Sequence, residues 1–231
     1  MGLQERWQDT RLDVANICRD CGRNPEDVRI IAVSKTVEAP VIAEAIACGM
    51  RDFGENRDKP FNEKRSLYPD ANWHFIGHLQ SNKAKQVVGR AHLIHSLDRP
   101  SLLAAIEKEA AKLDVIQDVL VEVSVSGEES KAGIAPDKLD EFLEQICMCD
   151  HVRCKGLMTM APQGDMAVAR NTFEGLRKLA NIMAKTYGER DSICMSELSM
   201  GMSEDYRVAL EEGATMVRIG RRIFSDEFSA H

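Results

Sequence analysis

Eight short apolar runs, each followed by a polar or amphipathic stretch, set the main constraint on how this chain can fold. They are "VRIIAVSK" (28–35), "RDFGEN" (51–56), "WHFIG" (73–77), "HLIHSLD" (92–98), "DVLVEVSV" (118–125), "RCKGLMTM" (153–160), "SELSMG" (196–201) and "TMVRIG" (215–220). Runs of this length are strand-like, and the segments between them read as helices. "APVIAEAIACG" places Val41, Ile42, Ala45 and Ile46 on one face and stops at Gly49. "RPSLLAAIEKEAAKL" opens on a proline–serine start, "PDKLDEFLEQICMC" begins at Pro136, and "SEDYRVALEEG" ends at Gly213. "MAVARNTFEGLRKLANIMAKTYG" is the longest helical pattern. Eight strand–helix alternations predict an α/β fold, a closed (β/α)8 TIM barrel, with an open doubly wound sheet as the alternative. The 231 residues contain no Pro/Gly/Ser-rich linker or break in composition, so 1–231 reads as a single domain.

An extra helix is expected ahead of the first strand. In "MGLQERWQDTRLDVANICRDCG", Leu3, Trp7, Val14, Ile17 and Cys18 recur at helical spacing. The same stretch lacks the apolar segment of a signal peptide, and no run has membrane-spanning length. The expected location is cytoplasmic, or organellar in a processed form. Seven cysteines without a secretory signal suggest reduced thiols. Cys18 and Cys21 form a C-x-x-C without a second one, and so read as two thiols on an amphipathic helix rather than a redox pair or half a zinc site. A net charge of −7 gives no bulk attraction to nucleic acid or an anionic membrane, but allows a local cationic pocket for a small anion.

In a barrel of this kind the chemistry lies where strands end and βα loops begin. Lys35 ends the first apolar run. If its side chain points inward, so do those of Ile31 and Val33, and the amine sits on an apolar layer. Partial desolvation then lowers its pKa and frees a nucleophile able to form a Schiff base with an aldehyde. The alternative is a lysine that extends from the strand end to solvent. Near the C-terminus, "SMGMSEDYRVALEEG" offers a turn at Gly201 and an N-cap at Ser203. "VRIGRR" ends the last run at Gly220. Exposed N–H groups at two such loops form the usual phosphate site of the fold, although a plain cap and a plain turn would explain each alone. Arg218 shares a face with Gly220. If it is buried it needs an acceptor, either a ligand ring nitrogen or carboxylate, or an internal carboxylate such as Glu197 or Glu122. Together, a lysine aldimine, a phosphate cup with Ser203, Gly220 and Arg221, and a buried arginine describe pyridoxal 5′-phosphate (PLP).

The residues also carry a resemblance. "AVSKT" (32–36), "FGEN" (53–56), "WHFIGHLQSNK" (73–83), "SVSGEESKAGI" (124–134), "GLMTMAP" (156–162), "LSMGMSEDY" (198–206) and "GATMVRIGRRIF" (213–224) resemble, in order and over nearly the whole chain, the pyridoxal phosphate homeostasis proteins. That family has the alanine racemase N-terminal type of barrel. The resemblance implies that Lys35 carries PLP as an internal aldimine, that Asn56 and His74 line the ring with Met200 beside it, and that Arg218 meets the pyridine nitrogen. It further implies phosphate contacts from Ser203, Gly220 and position 221. Read alone, Asn56 could be a turn residue and His74 a satisfied core histidine. Met158, Met160, Met200 and Met202 could fill core gaps. Two departures from the family pattern stand out. Arg221 occupies the place of a threonine, so its side chain either binds phosphate or turns outward. Pro60 in "RDKPFNEK" argues against a long regular helix there. Lys131 reads either as a second cationic contact near the mouth or as a solvated loop lysine.

A carrier or homeostasis protein competes with an enzyme, such as a PLP-dependent amino-acid racemase or a Schiff-base aldolase. Racemisation needs acid–base groups on both faces of the substrate carbon. In the resembled racemases the second is a tyrosine from a β-rich domain, which this chain is not expected to carry. Tyr68, Tyr187 and Tyr206 end no expected strand. An arginine at the pyridine nitrogen also weakens the ring as an electron sink. The aldolase alternative leaves Arg218 and the phosphate cup less well explained. The expected partners are therefore PLP and acceptor apo-enzymes that depend on it, not nucleic acid or membrane.

Overall fold

A computed structural model describes residues 1–126, 132–188 and 190–225. Helix α1 (Leu3–Asp20) is followed by β1 (Arg29–Val33), α2 (Ala39–Ala47), β2 (Asp52–Glu55), α3 (Asp58–Leu67), β3 (Asn72–Phe75) and β4 (Leu93–Leu97). Then come α4 (Pro100–Leu113), β5 (Gln117–Glu122), α5 (Leu139–Cys147), β6 (Val152–Met158), α6 (Met166–Tyr187), β7 (Ile193–Ser199), α7 (Tyr206–Glu211), β8 (Met216–Ile219) and α8 (Arg221–Phe224). Each strand falls within or across one expected apolar run. All pairings are parallel, and β1 pairs with both β2 and β8, which closes the barrel and excludes the open sheet.

Strands buried on both faces explain why the runs are nearly continuous rather than alternating. Ile31, Leu93, Leu120, Met158 and Met216 form a compact cluster inside the barrel. Ala32, Phe53, Trp73, Ile94, Val119, Val121 and Val217 belong to the larger core shared with the helices. The five apolar residues expected on one face of α1 are all buried. Helix α8 has only four residues, and α1 packs against α2, α7 and α8. Each buried apolar side chain of α1 is worth about 1.5–3 kcal/mol. That outweighs the exposed Arg207–Asp13 pair between α7 and α1, worth ~0–1 kcal/mol.

One expectation is revised. The stretch containing Pro60 is a regular ten-residue helix, α3. Pro60 is its third residue, where the missing N–H would have no intrahelical acceptor in any case. The C-x-x-C thiols diverge: Cys18 is in the core, while Cys21 is exposed at the end of α1. Among the described residues no cluster of metal-ligating side chains forms, and no helix is long and apolar enough to cross a membrane.

Candidate functional site

A cavity of about 440 Å³ opens at the C-terminal ends of the strands, and Lys35, Asn56, Ser203, Arg218, Gly220 and Arg221 line it. Six of the eight residues expected at the site thus meet there. Lys131 lies outside the described residues.

Strand β1 stops at Val33, two residues short of Lys35. Ile31 is buried inside the barrel and Val33 lines the cavity, as the inward alternation requires. Lys35 itself sits in the turn that follows and is exposed on the cavity wall. The desolvation expected of a strand-end amine is therefore not provided by the strand. What holds the turn lies behind it. Lys64 of α3 reaches through the wall, donating from Nζ to the Ser34 carbonyl at 2.7 Å and pairing with Glu55 of β2. The Ser34 hydroxyl donates to the same Glu55 oxygen at 2.7 Å. This buried ion pair anchors the residue immediately before Lys35. On the neighbouring strand end, a Cβ at Gly77 would lie 2.3 Å from the Asn56 carbonyl oxygen, so glycine permits the close approach there.

Arg218 projects inward from β8 and is 4% exposed. Neither Glu197 nor Glu122 is its hydrogen-bonding partner. It donates from Nη1 to the Ser199 hydroxyl at 2.7 Å and from Nη2 to the Thr159 carbonyl at 3.1 Å. Burial lowers its pKa to about 10, against the pull of Asp205 and Glu122. Glu197 instead pairs with Arg29 at 3.7 Å and accepts from Thr215 at 2.7 Å.

The loop after β7 turns at Gly201, whose φ of +89° favours glycine. Helix α7 starts after Asp205, not after Ser203: Asp205 Oδ1 accepts the Met202 N–H at 2.6 Å. Ser203 is thereby left on the cavity wall, where its hydroxyl oxygen accepts the Gly220 N–H at 3.4 Å. A Cβ at Gly220 would meet the Val33 carbonyl at 3.0 Å, so the backbone after β8 runs close to the end of β1. Arg221 is at the rim and pairs with Glu204 at 2.6 Å.

His74 and Met200 are not on the cavity wall. His74 points into the barrel interior, fully buried between His95 and Asp52 at 3.0 and 3.1 Å. Met200 is fully buried in the outer core: Ser199 faces inward, so the alternation of β7 turns its neighbour outward. Met160, Met166 and Met202 are the methionines that reach the cavity.

The cavity also holds groups to which the sequence assigned no site role. Glu122, at the end of β5, is pushed up to about 7 by burial and by the charge of Asp98, while Arg218 pulls it back. Its position two residues after inward-facing Leu120, in an otherwise apolar run, is the signal that would have found it. His78 lines the wall and is held through Nδ1 by Asp98 at 3.1 Å. That contact joins two strand ends and has no signature in either run.

An amine, a guanidinium, and a hydroxyl beside a close backbone turn, all on one cavity, match the donor set for a small molecule bearing an aldehyde, a ring-nitrogen acceptor and a phosphate. A barrel with such a site defines a class. Residues 14–227 match the family described as alanine racemase, N-terminal domain. Within it, the chain is 41% identical over 229 residues to the pyridoxal phosphate homeostasis protein of Aquifex aeolicus (98% of this chain, 99% of the relative). PipY of Synechococcus elongatus, solved with PLP bound, superposes with a TM-score of 0.84 at 33% identity, covering 97% of this chain and 100% of that one. An alanine racemase of Clostridium difficile shares the fold alone, with TM-score 0.71 and 14% identity over 96% of this chain and 57% of its own. The chain belongs to the pyridoxal phosphate homeostasis protein family.

Proposed function

We propose that this protein binds PLP as a lysine aldimine on Lys35 and serves intracellular PLP homeostasis or carriage without robust catalysis. The observation that carries the reading is the meeting of Lys35, Arg218 and the Ser203–Gly220 turn on one cavity. In this reading Lys35 supplies the amine that takes the aldehyde, and Asn56 flanks the ring. Arg218, already held from behind by Ser199 and Thr159, turns a remaining donor to the ring nitrogen. Ser203, the Gly220 N–H and the loop carrying Arg221 hold the phosphate. When bound, the cofactor supplies a reactive aldehyde that amines can exchange. Apo-enzymes that require it are the natural acceptors, and release is by hydrolysis or transimination.

Two observations and one consequence of this reading support carriage over turnover. Relatives across the whole length are named homeostasis proteins. A guanidinium at the ring nitrogen disfavours its protonation and so weakens it as an electron sink. The three tyrosines are all engaged away from the cavity: Tyr68 with Ala39, Tyr187 with Asp140 and Tyr206 with Asp13. The net charge of −7 supports small-molecule and protein partners rather than nucleic acid, and a cytoplasmic site of action accords with the reduced thiols.

The test is an absorbance spectrum with borohydride trapping and peptide mapping. A band near about 420 nm, and a reduced adduct on the peptide containing Lys35, are expected, both absent in Lys35→Ala. A label elsewhere overturns the assignment. Robust racemisation or cleavage of an amino acid by the purified protein overturns the carrier reading.

A further inference from the structure

A line of hydrogen bonds crosses the barrel interior from the cavity to the opposite end. Arg218 Nη1 meets Ser199 Oγ at 2.7 Å, and Ser199 Oγ meets His95 Nδ1 at 2.9 Å. His95 Nε2 then meets His74 Nδ1 at 3.0 Å, and His74 Nε2 meets Asp52 Oδ1 at 3.1 Å. The line runs through β8, β7, β4, β3 and β2, and Ser199, His95 and His74 are fully buried. We propose that Ser199, His95, His74 and Asp52 are positioning residues for Arg218, each link setting the direction of the next.

One end determines every proton. An ionised Asp52 only accepts, so the His74 proton is on Nε2 and its Nδ1 must accept. His95 therefore donates from Nε2, and its own Nδ1 accepts in turn. The Ser199 hydroxyl proton then goes to His95, which leaves the oxygen's lone pairs facing the guanidinium. No histidine needs a charge, in keeping with burial lowering the pKa of both. Arg29 beside Asp52, at 3.9 Å, favours the ionised carboxylate. Arg218 is thus tied at two of its nitrogens, by Ser199 and by the Thr159 carbonyl, and its plane is fixed toward the cavity it lines. A serine hydroxyl free to rotate would point its proton at the guanidinium in some rotamers and release it. The role of this orientation at a ring nitrogen rests on the PLP reading above, whereas the line itself does not.

Two measurements separate those claims. In cofactor-free, 15N-labelled protein at neutral pH, His74 and His95 should both give neutral Nε2–H spectra, and the Arg218 Nη–H signals should be resolved and slow to exchange. Ser199→Ala and the remote Asp52→Ala should each collapse those arginine signals, with Ser199→Thr restoring them. With PLP added, the two alanine variants should weaken retention about 5–10-fold and shift the absorbance maximum, with Ser199→Thr within about twofold of wild type. An Nδ1–H or imidazolium form in the wild-type spectra overturns the line without needing any variant. Unchanged Arg218 signals in folded Asp52→Ala overturn the positioning. Directed signals in a protein that fails to take up PLP would uphold the line and sink only the cofactor reading.

Discussion

At the N-terminal ends of the strands, Arg29 lies 3.9 Å from Asp52 and 3.7 Å from Glu197, and Arg153 bonds Asp118 at 2.7 Å. At the C-terminal ends, Lys35 has no ion-pair partner among the described residues, and Arg218 donates only to a hydroxyl and a carbonyl. One end matches its charges to each other at a partly exposed mouth. The other arranges cationic donors around a cavity: Glu122 there is pushed toward the protonated form, and of Lys35, Arg218 and Arg221 it is Arg221, at the rim, that pairs with a carboxylate, Glu204. Charge that closes on itself holds a mouth together, whereas charge left facing a cavity is available to a ligand. The contrast follows the division of stability and function between the two faces of this fold.

The comparison can be broken by substitution at each end. The largest effect is expected behind Lys35. Lys64→Met leaves the buried Glu55 carboxyl with no cation, and should destabilise the fold by ~3–5 kcal/mol in denaturant titration. A loss no greater than that of a surface pair would show that the anchor is dispensable. Next is Glu122, whose value of about 7 lies above the ordinary 4.5. Between those two values the folded protein keeps a proton that the unfolded chain loses, so stability falls as pH rises across the window and stays lower above it. Glu122→Gln removes that penalty. Its stability gain over wild type should grow by ~1–3 kcal/mol from about pH 5 to about pH 8. An equal gain at both would mean that the carboxyl is not held protonated. Arg221→Ala should weaken PLP retention by about 3–10-fold if the side chain leaves Glu204 to hold phosphate. Unchanged retention assigns that task to the Gly220 turn. The smallest effect belongs to the opposite mouth. Arg153→Ala should cost ~0–1 kcal/mol and leave PLP retention unaltered, since its pair with Asp118 is partly exposed.

Much of this arrangement was legible in the chain. The eight runs located every strand, because a strand buried on both faces must be apolar along its length. The face of α1 was readable from Leu3 to Cys18 because helical periodicity is local. Lys35, Ser203 and Gly220 could be placed at loop ends, and so at one mouth, once the alternation implied a barrel. His74 was harder. An inward-facing histidine at the cavity and one below it look identical in "WHFIG", and only its distances to His95 and Asp52 decide. Pro60 misled because its effect depends on its distance from the helix start, which composition does not supply.

By itself the sequence determined the order of elements and, once a barrel is given, the end at which the reactive groups gather, since these follow from local periodicity and from which residues flank each apolar run; closure was decided by the pairing of β1 with β8. Only the tertiary structure decided that Lys35 is exposed, that Met202 rather than Met200 reaches the cavity, and that Arg218 leans on Ser199 instead of a carboxylate. Those outcomes depend on which strand ends stand side by side. Side-chain reach across a closed sheet is set by register and depth, neither of which any single run of residues encodes.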